Sequence, residues 1–82
     1  MHEWLVDARS KLAAAVGEEP LAYDLSEAEI DELLELARLA ARDSGERINA
    51  PLVAYLVGLA RGRHPGRDLS DLVDDVVRRS GA

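Results

Sequence analysis

"SEAEIDELLELARLAAR", residues 26–42, reads as an amphipathic helix whose start is written into its first four letters. Serine followed three residues later by glutamate is the capping box: the Ser26 hydroxyl accepts the Glu29 backbone N–H, and the Glu29 carboxylate reaches back to the Ser26 N–H. Glu27 adds negative charge at the positive end of the helix dipole. Ile30, Leu33, Leu34, Ala37 and Ala41 recur at helical spacing, while Asp31, Glu32, Glu35, Arg38 and Arg42 form the wet side. Leu36, Leu39 and Ala40 widen the apolar stripe, which predicts contact with more than one neighbouring helix.

Downstream, "DSGERINAP" (43–51) closes this helix and opens another, because Ser44-Gly45 is turn chemistry and Pro51 is tolerated only in a first helical turn. Asn49 or Ala50 is the expected cap. The stretch that follows, Ala50 to Ala60, carries no charge and is apolar nearly all round, so it reads as a central helix buried on most sides. Leu56 is expected in the core whichever way that helix is rotated, since Leu52, Val53, Leu59 and Ala60 around it are all apolar. "RGRHPGR" (61–67) breaks the helix through Gly62 and Pro65-Gly66, and Asp68 caps a last helix on which Leu69, Leu72, Val73, Val76 and Val77 share a face. Upstream, Leu5, Ala8, Leu12 and Val16 define a helix over about residues 2–16, with Trp4 at its edge and Gly17 as its stop. "GEEPLAYDL" (17–25) connects it to Ser26. No stretch alternates with period two and phenylalanine is absent, so the predicted class is all-α, a compact four-helix bundle forming a single helical domain over residues 1–82.

Composition narrows the function classes. Of 82 residues, 48% are apolar, enough for a core but with little stability to spare at this length. Sixteen acids against ten bases leave a net charge of −6, which argues against nucleic acid and anionic membrane as partners. No cysteine is present, so thiolate metal sites and disulfides are excluded. The acidic start "MHEWLVDARSK" lacks a signal peptide's basic region and long apolar core, and the uncharged run of residues 50–60 is too short to span a bilayer; the expectation is a soluble, cytoplasmic protein.

"ELLELARLAAR" and "RINAPLVAYLVGLARGR", with a tryptophan near the amino terminus, resemble a family of small actinobacterial helical domains of unknown function. In that family an "LLxLAR" helix precedes an arginine-containing loop and an "APLxxYLxGLAxG" helix. Its members occur alone or fused behind a molybdenum-cofactor guanylyltransferase-like nucleotidyltransferase domain, and the free-standing ones are often labelled molybdopterin-guanine dinucleotide biosynthesis proteins. The resemblance implies a non-catalytic accessory or interaction domain in molybdenum-cofactor biosynthesis, with a nucleotidyltransferase-like protein as partner. The present chain departs from the pattern in its longer acidic connector "GEEPLAYDLSEAE", and it lacks the transferase's own glycine-rich loop. The family offers no catalytic residue to carry over.

No constellation of side chains suggests chemistry of its own. His2 and His64 have no second histidine at helical spacing, and Asp68, Asp71, Asp74 and Asp75 lack calcium-loop spacing. Asp74 with Arg78 and Asp75 with Arg79 instead read as i, i+4 ion pairs. No catalytic residue, metal or cofactor is expected. An acyl carrier protein is similar in size and charge, but its prosthetic-group serine opens a mid-chain helix, whereas Ser44 closes one and Ser70 lies too near the carboxyl end.

Two surface features remain. Ala50, Ala54 and Gly58 form a smooth row suited to a close helix contact, either within the chain, where Gly58 would accommodate a bulky neighbour such as Trp4, or across a homodimer, the alternative role for this protein. Arg61, Arg63, His64 and Arg67 form a basic loop suited to an anion or an acidic partner. Residues 1–60 hold five bases and twelve acids, whereas residues 61–67 add three arginines and no acid.

Overall fold

Capping decides where each helix begins and ends. In the computed structural model, which describes residues 2–78, α1 spans Glu3–Val16, α2 Glu27–Ser44, α3 Asn49–Arg63 and α4 Leu69–Val73; α4 runs on into a π turn, Asp74–Arg78. A 3-10 turn, Pro20–Tyr23, lies between α1 and α2, and no strand occurs among the described residues. The class is all-α with four helices, as the sequence predicts.

The helix ends follow local chemistry. At Ser26 both halves of the capping box form: the Glu29 N–H donates to Ser26 Oγ at 3.1 Å and the Ser26 N–H to Glu29 Oε1 at 2.9 Å. Gly17 (φ 73°) and Gly45 (φ 76°) end α1 and α2 in the left-handed conformation that only glycine adopts without strain. The α1 end is a Schellman motif, with the Glu18 N–H donating to the Ala13 carbonyl (2.9 Å) and the Gly17 N–H to that of Ala14 (3.3 Å). The start of α3 differs from expectation, because Asn49 and Ala50 already lie inside the helix and Ile48 holds the cap position. Their N–H groups find the carbonyls of Glu46 (3.3 Å) and Arg47 (3.1 Å), so this end needs no side-chain cap.

The core sits where α2, α3 and α4 meet. Leu36, Val57, Leu69 and Val73 form its buried cluster, with Leu33, Val53, Ala54, Leu72 and Val77 packed against it. Four expectations are corrected here. On α2 the inward face is centred on Leu36, Leu39 and Ala40, and Leu34 points to solvent. The half-buried Glu29 and Glu32 share that inward face, which disguises it in a pattern that assigns Glu32 to water. On α3 only Val57 is buried; Leu56 is 60% exposed, and Ile48, Leu52, Tyr55 and Leu59 are exposed with it. Helix α3 is covered by α2 and α4 along one side, so it is a flanking helix rather than a central one. Trp4 is 72% exposed and a side chain at Gly58 would meet nothing within 4 Å, so the two do not pack together.

Helix α1 packs on the 3-10 turn and on none of the other helices. Arg9, whose Nη1 donates to Asp24 Oδ1 at 2.6 Å, ties it to the connector. The molecule is accordingly elongated, 41 × 27 × 20 Å.

Candidate functional site

The basic loop is built by the end of α3 and the start of α4. His64 caps α3, its N–H donating to the Ala60 carbonyl (2.9 Å), and the Arg67 N–H closes the turn on the His64 carbonyl (2.9 Å). Asp68 takes the cap position of α4 in extended backbone, and its carbonyl accepts the Leu72 N–H at 3.1 Å. Its carboxylate makes no capping hydrogen bond, so the expected side-chain cap is absent.

The loop's cations have different fates. Arg61 lies 3.6 Å from Glu29, the residue that also closes the capping box, so α3 is clipped to the start of α2. Arg67 lies 3.5 Å from Asp75 on the π turn. Both pairs are partly exposed and each contributes at most about 1 kcal/mol. Arg63 and His64 are exposed, with no side-chain partner among the described residues. Arg61 and Arg67 therefore neutralise acids of their own chain, Glu29 and Asp75.

Arg61 and Pro65 separate two hollows. An open polar basin of about 450 Å³ lies over Arg61, Gly66, Arg67, Asp68 and Asp71. The two aspartates offset the arginines, so the basin is not a strong anion site. A cleft of about 490 Å³ runs on the other side, between the 3-10 turn and α3, with Gly58 and Gly62 on one wall and Tyr23 and Leu25 on the other. The small-residue row is thus divided: Ala54 packs against the core, Ala50 is half-buried, and Gly58 lines this cleft. Sequence reasoning missed Tyr23. Its hydroxyl donates to Glu18 Oε1 at 2.7 Å, a bond that holds the phenol's pKa above its ordinary value, reinforced by burial and by the carboxylate's charge.

The remaining candidates stay apart. His2 accepts the Trp4 N–H at Nδ1 (3.2 Å), a capping role at the start of α1. Ser44 exchanges hydrogen bonds with the Glu46 backbone (3.2 and 3.3 Å) in the turn that ends α2. The expected pairs of Asp74 with Arg78 and Asp75 with Arg79 involve arginine side chains outside those described. No group of three potential metal ligands occurs among the described residues, and no described helix is long and apolar enough to cross a membrane.

The model of a family described as a domain of unknown function, DUF6457, covers residues 1–82, and the chain belongs to that family. No curated protein and no solved structure matches it.

Proposed function

We propose that this member of the family is a non-catalytic interaction domain serving molybdenum-cofactor nucleotide attachment, docking on a nucleotidyltransferase-like protein through its α3–α4 loop. The observation that carries the reading is the placement of Arg63 and His64. Both are exposed and without a side-chain partner, at the end of a helix whose outer face is apolar. A cationic rim beside an apolar face suits a protein surface with acids around an apolar centre, the rim steering encounter and the face supplying affinity. Arg63 also suits a phosphate-bearing pterin, which the loop would steer toward the transferase. The molybdenum-cofactor assignment rests on the resemblance of the α2 and α3 motifs to domains found with guanylyltransferase-like proteins. Self-association is the competing use of the apolar face.

The test is capture of the nucleotidyltransferase by the isolated domain. Replacing Arg61, Arg63 and Arg67 with serine should leave the helical spectrum intact and weaken capture, with wild-type capture falling as salt rises. Because Arg61 and Arg67 hold internal ion pairs, Arg63→Ser with His64→Ser serves as the variant that breaks none. Undiminished capture by both variants would place the docking surface elsewhere.

A further inference from the structure

The chain exposes more surface than a folded monomer of its size requires. Its accessible area is 6071 Å² for a mass of 8.9 kDa. Monomeric proteins of that mass expose about 4,800 Å², so the excess is about 1,250 Å². A standard interface removes about 800 Å² from each partner, so the excess is of the size that a stable dimer covers.

Large apolar side chains exposed on two helices contribute to this excess. On α3, Ile48, Leu52, Tyr55 and Leu59 follow one another at steps of four, three and four residues, the spacing of a helix-pairing seam, and all are exposed. This seam faces away from Val57 and the core. On α1, Trp4, Leu12 and Val16 are each more than half exposed, and α1 has no helix of its own chain against it. Leu5, Ala8 and Leu12 with Tyr23 and Leu25 line an apolar hollow of about 240 Å³ along the same helix.

Charge selects which face meets which. Residues 47–67 hold Arg47, Arg61, Arg63 and Arg67 and no acid, so pairing α3 with a second α3 brings like charges together. Residues 1–19 hold Glu3, Asp7, Glu18 and Glu19 against Arg9 and Lys11. Helix α1 itself is balanced, with Asp7 paired to Lys11 at 2.9 Å, and acids stand at its two ends, Glu3 at one and Glu18 and Glu19 beyond the other, to meet the basic ends of α3. We infer that the protein forms a two-fold symmetric homodimer in which α1 of each copy lies along the outer seam of α3 of the other. The reciprocal contact buries both unpartnered faces twice, as a closed isologous interface does. The inference goes beyond the interaction-domain reading: it assigns the apolar α3 face to a second copy and leaves the exposed Arg63 and His64 at its rim for another partner.

Sedimentation equilibrium of the full chain tests it. The wild type should sediment at twice 8.9 kDa across the micromolar range. Leu12→Glu on α1 and Leu52→Lys on α3 should each raise the dissociation constant about 100-fold, with helicity retained because both positions are more than half exposed. Mixing the two variants should restore a dimer, since the mixed pair has one unaltered contact and one in which glutamate meets lysine. A monomeric wild type, a Leu12→Glu variant that stays dimeric, or a mixture no heavier than its separate components each overturns the proposal. A monomer that still captures the nucleotidyltransferase overturns the dimer and leaves the interaction-domain reading standing; a dimer that captures none does the reverse.

Discussion

At Leu36 the side chain is fully enclosed among Val57, Leu69 and Val73, so Leu36→Ala removes packed methyl groups and leaves a cavity. The expected cost is about 2–5 kcal/mol in chemical denaturation. Leu56→Ala, at an exposed position one residue from Val57, should cost less than about 1 kcal/mol. Equal losses for the two would contradict the observed rotation of α3. Tyr23 supplies the pH-dependent prediction. Its bond to Glu18 favours the neutral phenol, so in a Tyr55→Phe background the Tyr23 absorbance should titrate above the ordinary phenol range, and Glu18→Gln should lower it. A folded-state pKa raised in this way contributes stability below the unfolded phenol's pKa and loses it as pH rises through the folded value. Leu56 shows why residue burial was not legible: on a helix apolar all round, periodicity carries no direction.

The start of α2 and the stops of α1 and α2 were legible because their causes are local. Ser26 and Glu29, Gly17 and Gly45 act through bonds to residues at most five positions away. The partner of α1 was not legible, since its stripe of Leu5, Ala8, Leu12 and Val16 states that something apolar should cover it without saying what. An isolated helix of fourteen residues is marginal in water. With contacts only to the 3-10 turn in one chain, α1 should exchange its amide hydrogens well ahead of α2 and α3 in dilute protein. Its protection should rise with concentration as a second copy covers it. Exchange in α1 as slow as in α2 at every concentration would mean that it packs onto its own chain. The basic loop of Arg61, Arg63, His64 and Arg67 is legible in the sequence, but its ion pairs with Glu29 and Asp75 depend on how α2 and the π turn come to lie beside it.

For the whole molecule, seven apolar residues are buried among those described, while eleven large ones remain exposed, so the monomer's own core is small. Marginal stability in one copy and mass action between two predict a melting temperature that rises with protein concentration. A melt independent of concentration would indicate that the small core suffices. Taken alone, the sequence determined the class, the four helices and the glycines that stop α1 and α2, because capping, left-handed glycines and apolar spacing act within a turn or two of chain, whereas Gly62, read as a break, lies inside α3. Only the tertiary structure decided that α3 turns Val57 inward and its Leu52 and Tyr55 seam outward, that Leu34 faces water, and that α1 lies apart from α2, α3 and α4. Those outcomes depend on which surfaces compete for a limited core, and a helix with apolar residues on every side holds no local record of which side wins.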